Sequence, residues 1–236
     1  MTGTTRPPDH PRTAALLLLA DSRLPAGGHV HSGGLEAAVR AGLVTDLASL
    51  AGFLRGRLAT VGRVSAAFAA AAVRLAGDPD AGAAAWAELD AELDARTPAL
   101  PQRQASRTQG RSLLRIASAV HGPHALSALR EGCGEAPHQA IAFGALAAQE
   151  SVPPQAAAAA MALASVTGPA SAAVRLLALD PVRVHALLAR LAPEADAIAA
   201  AAASPCPPAA LPDASAPLLD ILAEHHTAQE GRLFAS

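Results

Sequence analysis

The sequence predicts an all-α protein, a single-domain helical bundle of about ten helices with flexible N- and C-terminal tails. Three observations carry this. Hydrophobic residues make up 51% of the 236 positions but aromatics only 2%, so the core must be assembled from Ala, Leu and Val. Ala has the best helix propensity and Leu follows it, whereas Tyr is absent and the β-favouring Phe and Trp are scarce. Proline recurs at the start of apolar segments, where its missing N–H costs nothing because that amide has no intrahelical partner. Small side chains also let helices approach closely, although each contact buries less area than a Phe or Leu would.

No long linker divides the chain. The reading is therefore one domain over 13–229, preceded by a polar, Pro-rich tail at 1–12 and followed by a partner-binding tail at 230–236. Residues 13–20 form a short helix. The stretch 21–34 carries four glycines and a proline and reads as a loop that needs positive φ angles. Helix resumes at Gly34 and stops near Gly42. Thr45 has the chemistry to cap the next helix, with Asp46 adding negative charge to its first turn, and the pattern runs through Arg74 with a break at Gly62. Glu88 and Glu92 with Trp86 and Leu93 suggest an amphipathic helix over 80–95. Pro98 and Pro101 precede a long helix at 102–120, and proline punctuation places further helices at 123–130, 137–149, 154–166, 170–179, 181–191 and 193–203. A Pro/Ala-rich connector at 204–217 leads to a last helix at 217–229. There is no internal repeat, which disfavours a solenoid.

Composition also excludes chemistry. All 18 basic residues are Arg. Without Lys there is no Walker A loop, no Schiff-base amine and no Ser–Lys pair, and the GxGxxG, GxSxG and HExxH signatures are missing as well. An enzyme is not expected, nor a cofactor. A net charge of −2 offers no electrostatic reason for a nucleic-acid partner. The longest apolar run, Ala156 to Ala164, is shorter than the roughly 18 residues a span requires, so no membrane partner is expected. Asp9 and Asp21 flank the apolar stretch 14–20, and Cys133 and Cys206 lie far apart without CxxC spacing. Both features suggest a cytoplasmic chain with no disulfide framework.

Several segments could carry function. In LADSRLPAGGHVHSGGLE, Pro25 fixes a turn, Gly27 and Gly28 permit a tight path, and His31 and Ser32 precede a helix whose first turns hold Glu36. This is a loop that docks a partner, orients a metal, or is packed for its own stability. His29 and His31 form an H-x-H pair, an incomplete metal site because zinc or nickel takes three or four ligands. Arg103, Arg107, Arg111 and Arg115 recur every four residues, a basic stripe that suits acidic groups on this chain or another, or a solvated face. Ser106 and Gly110 are small and four apart, leaving room for a close neighbour. Arg175 is the only charge in the apolar segment 170–179 and must snorkel, pair or face a partner. At the C-terminus Glu224, His225 and His226 could attract a metal or simply be exposed polarity, and Arg232, Leu233 and Phe234 form an apolar tail suited to binding.

Five blocks in order make the chain resemble the UreF family of urease accessory proteins. The first is similar to LADSxLPxGGFSHSxGLE, with Leu24, Pro25, Gly27, Gly28, His31, Ser32, Gly34, Leu35 and Glu36 in place and His29 and Val30 departing. The second resembles RxASxxxGRxLL through Arg103, Ala105, Ser106, Gly110, Arg111, Leu113 and Leu114. The third, with His138, Phe143 and Gly144, resembles HxPxxFG, and SAAVRLLALDP resembles AAVRLxPLGQ. The ending resembles PxLDIxxxxHExxxxRLFxS through Pro217, Leu219, Asp220, Ile221, His225, Arg232, Leu233, Phe234 and Ser236. The resemblance implies a homodimeric adaptor that binds UreD (also called UreH), recruits the GTPase UreG, modulates its GTP turnover and serves nickel insertion into apo-urease. It implies partner contacts at Pro25, Gly27, Gly28, His31, Ser32, Glu36, Arg103, Ser106, Arg107, Gly110, Arg111, Arg175, His225, Arg232, Leu233 and Phe234. The alternatives are a small helical metal-binding enzyme using His29 and His31, and a helical structural protein with no urease connection.

Overall fold

The computed structural model of the chain describes residues 13–28, 31–227 and 233–234. Among these there are ten helices and no strand. They are α1 (Thr13–Ala20), α2 (Leu35–Arg40), α3 (Leu47–Gly77), α4 (Ala83–Ala95), α5 (Leu100–His121), α6 (Ser127–Cys133), α7 (Gln139–Gln149), α8 (Pro154–Leu176), α9 (Pro181–Ala202) and α10 (Pro217–Thr227).

Helix α3 is the axis. One side of its C-terminal half packs on α7 and the other on α8, while α8 is covered in turn by α9. The apolar side chains divide accordingly. Phe68, Ala69 and Ala72 of α3 join Leu113 and Leu114 of α5 and Ile141 and Leu146 of α7 in one cluster. Leu54, Leu58, Ala66 and Ala70 join Ala162 and Val166 of α8 and Leu187 and Leu191 of α9 in a second. The close approach expected of an Ala-rich core is seen where α7 meets α3: a Cβ on Gly144 would overlap the Ala69 carbonyl oxygen. Both α3 and α8 are long and apolar enough to cross a membrane by length and composition, although no uninterrupted run in the sequence is. Within the bundle 56% and 50% of their most apolar windows are buried.

Four local expectations need correction. The cap of α3 is Asp46 rather than Thr45, in a capping box: the Asp46 carboxylate accepts the Ser49 amide at 2.8 Å and Ser49 Oγ accepts the Asp46 amide at 3.0 Å. Gly62 does not break the helix; Leu58–Gly62 widens into one π turn, which sets Gly62 against Ser165 of α8. The segments 154–166 and 170–179 are a single helix carrying Pro169 inside it, and 181–191 and 193–203 likewise merge around Pro193. A helix tolerates an internal proline when the carbonyl four residues earlier finds another donor. For Pro169 that donor is Arg57, described below.

Candidate functional site

The described parts of the loop, residues 21–28 and 31–34, are folded from short-range chemistry. Pro25 opens its turn, Gly27, Gly33 and Gly34 adopt positive φ, and α2 starts directly afterwards. Ser32, fully buried, accepts the Glu36 amide on Oγ at 3.2 Å and so satisfies one of the orphan donors of the helix start.

Glu36 is only 1% exposed. Its two carboxylate oxygens accept the backbone amides of Leu233 and Phe234, each at 2.9 Å, and Arg40 donates to it at 3.0 Å. His226 Nε2 lies 3.7 Å away. Desolvation pushes this carboxyl up, but the two amides, Arg40 and His226 together outweigh it, and its pKa falls below the usual value. The Phe234 ring, 7% exposed, sits 4.9 Å from the Arg175 guanidinium carbon in a cation–π contact. His226 of the last helix and residues 233–234 are thereby held against the first motif, and Glu36 and Arg175 have partners within the chain.

Arg57, which sequence reasoning passed over, pins the same loop from the other side. Its Nε donates to the Ser165 carbonyl at 3.0 Å, the acceptor that Pro169 leaves unused, and its Nη1 donates to the Gly33 carbonyl. Gly33 has φ of +61°, and a Cβ there would lie 2.9 Å from the guanidinium carbon and 3.0 Å from Pro169 Cγ. Only glycine fits. Burial pushes the Arg57 pKa down to about 10.

The basic stripe of α5 is divided between interior and surface. Arg107 donates to Asp90 at 3.0 Å, to Asp94 at 2.6 Å and to the Ala136 carbonyl at 2.9 Å. Arg103 donates to the Thr97 and Pro98 carbonyls at 2.7 Å. Arg111 is exposed and makes no ion pair among the described residues. Between these, Ser106 Oγ lies 3.0 Å from His138 Nδ1, and His138 Nε2 lies 3.2 Å from Asp94. Burial lowers the His138 pKa, aided by Arg107 and opposed by Asp90 and Asp94. The neutral ring therefore donates from Nε2 to Asp94 and accepts the Ser106 hydroxyl at Nδ1. Ser106 also accepts the Gln139 amide at 3.1 Å. A Cβ on Gly110 would overlap the Pro137 carbonyl oxygen. The room left by Ser106 and Gly110 is thus filled by the segment leading into α7, and the Ser–His–Asp relay ties α4, α5 and α7 together.

Of the remaining predicted site residues, Pro25 and Gly28 stay with the loop, His31 lies beside Gly168 of α8, and Leu233 is 73% exposed. His225 is exposed, whereas its neighbour His226 is 2% exposed and faces Glu36 and Phe234. Arg232 and His29 lie outside the described residues. Among the described residues no three His, Cys, Asp or Glu side chains are placed to share a metal ion. The loop roofs a cavity of about 460 Å³ whose wall includes His31, Arg57, Gln109, His138, Met161 and His226.

The described residues form an all-α helical bundle in which Leu233 and Phe234 are held against α2 beside a largely apolar cavity, with exposed aliphatic and arginine groups outside. The family model for UreF matches residues 44–192. The urease accessory protein UreF of Mycobacterium sp. (strain JLS) is 50% identical over 221 residues, covering 94% of this chain and 97% of its own. That of Mycobacterium marinum is 46% identical over 223 residues, covering 94% and 98%, and that of Mycobacterium tuberculosis (strain ATCC 25177 / H37Ra) is 44% identical over the same length and coverage. The chain belongs to the UreF family of urease accessory proteins, a family of accessory proteins and not of catalysts.

Proposed function

We propose that the chain is an adaptor of urease maturation: it joins UreD (UreH) and the GTPase UreG on apo-urease, modulates GTP turnover by UreG during nickel insertion, and acts in the cytoplasm as a homodimer. Family membership supports the urease assignment. The observation that carries the adaptor reading is the placement of exposed apolar side chains. Of the ten large hydrophobics exposed among the described residues, five fall on the two terminal helices and the tail: Leu17 (65%) and Leu18 (69%) on α1, Leu218 (56%) and Ile221 (55%) on α10, and Leu233 (73%). Exposed aliphatic groups on the terminal elements are candidates for a binding surface, and Glu36 holds the Leu233 and Phe234 amides next to the last helix.

The test is co-expression of a tagged chain with UreD. The double substitution Leu218→Arg, Ile221→Arg should cut recovered UreD by at least about tenfold, equivalent to about 1.4 kcal/mol, with the helical circular dichroism unchanged. Undiminished recovery contradicts the reading.

A further inference from the structure

We propose that the cavity under the glycine loop binds a small free oxyanion of the size and charge of phosphate or bicarbonate, with Arg57 as its counter-charge. Arg57 spends its bonds on two neutral carbonyls, those of Ser165 and Gly33, and forms no ion pair with a carboxylate among the described residues. Two of the five guanidinium N–H groups are used in this way. A positive charge set into a protein without a counter-charge is costly, and among the described residues no carboxylate pairs with this half-buried one. Burial lowers the Arg57 pKa only to about 10, so the group remains charged at neutral pH.

The rest of the wall points to the same class of ligand. Its described residues include a second guanidinium, Arg175, and three imidazoles, those of His31, His138 and His226. Its one carboxylate is Asp21, already held by Arg23 at 2.6 Å. His226 Nδ1 is buried with no hydrogen-bond partner among the described residues. Two guanidiniums against one carboxylate that is already paired oppose a bare divalent cation and favour an anion, whose oxygens match the planar fork of a guanidinium. Volume is sufficient: 460 Å³ holds on the order of 15 waters at about 30 Å³ each, and an oxyanion displaces only a few of them. The proposal is independent of the adaptor reading, since it concerns the inner wall and not the outer surface.

The test is titration calorimetry of the full chain with sodium phosphate and with sodium bicarbonate, against sodium chloride at matched ionic strength. The expected result is saturable binding of the oxyanions that chloride does not reproduce. Arg57→Gln should weaken it about 10- to 100-fold, the range of a charge-assisted hydrogen bond, and Arg57→Lys, which keeps the charge without the planar fork, should fall between the two. The absence of saturable binding by the wild-type chain, an equal response to chloride, or binding unchanged in Arg57→Gln overturns the proposal. Should Arg57→Gln lose its native circular dichroism, the Arg57 Nε–H resonance of the ¹⁵N-labelled wild type decides. A saturable shift with phosphate supports the site, and a resonance that does not move overturns it.

Discussion

Replacing Glu36 with Ala should release the C-terminal tail while leaving the bundle folded. The carboxylate accepts two amides, at Leu233 and Phe234, each at 2.9 Å. Hydrogen bonds to a buried charge are worth about 1.5–3 kcal/mol each, so the pair supplies about 3–6 kcal/mol. Fixing the backbone of the two residues costs about 2–4 kcal/mol, and burying the Phe234 ring returns about 1.5–3 kcal/mol. With the carboxylate present the tail is held by a few kcal/mol. Without it, ring burial and ordering roughly cancel, and the docked fraction falls from nearly complete to about half or less. Hydrogen exchange of the Leu233 and Phe234 amides reads this directly, because local opening sets their protection. Protection at both should drop at least about tenfold in Glu36→Ala, with the amides of α3 unaffected. Protection retained at Leu233 and Phe234 refutes the reasoning that the carboxylate is what holds the tail.

Acidification should weaken the fold in two stages. His138, buried neutral with a pKa below its ordinary 6.5, contributes stability that is present above that value and lost as pH falls through it. Glu36 and Asp94, depressed below 4.5 and 3.8, contribute stability that is lost at still lower pH. Urea midpoints measured from pH 8 to pH 3 should fall in this order, and a midpoint flat to pH 4 contradicts it. Gly110→Ala should cost about 1–3 kcal/mol, because the new methyl overlaps the Pro137 carbonyl; a melting temperature within a degree of wild type contradicts this. Arg107→Met strips Asp90, 7% exposed, of its cation and should destabilise by about 2–3 kcal/mol in denaturant titration. Arg111→Met, on the exposed side of the same helix, should stay within about 0.5 kcal/mol. Equal effects from the two would show that the division of the stripe is wrong.

The helices were legible because Ala- and Leu-rich segments with proline punctuation have few other solutions. The same rule misplaced two boundaries. Pro169 and Pro193 read as helix openers, yet both lie inside helices, and for Pro169 the compensating donor is Arg57, 108 residues from the carbonyl it serves. Nothing local distinguishes Arg57 from the exposed Arg55. Four-residue spacing revealed the arginine stripe of α5, but not which arc of it faces Asp90 and Asp94, because that depends on how α4 lies across the helix. The first and last motifs were identified separately. Their union through Glu36 spans 197 residues and has no signature in sequence spacing. The ending pattern, counted from Pro217, places its histidine at 226, and it is His226 and not His225 that takes the buried position on α10.

Size-exclusion chromatography with light scattering of the purified chain mixed with UreD and UreG, with GTP present, tests the adaptor role most directly. The account predicts one species containing all three proteins, and loss of UreD from it when Leu218 and Ile221 are changed to Arg. A chain that elutes apart from both, while remaining helical, would contradict it.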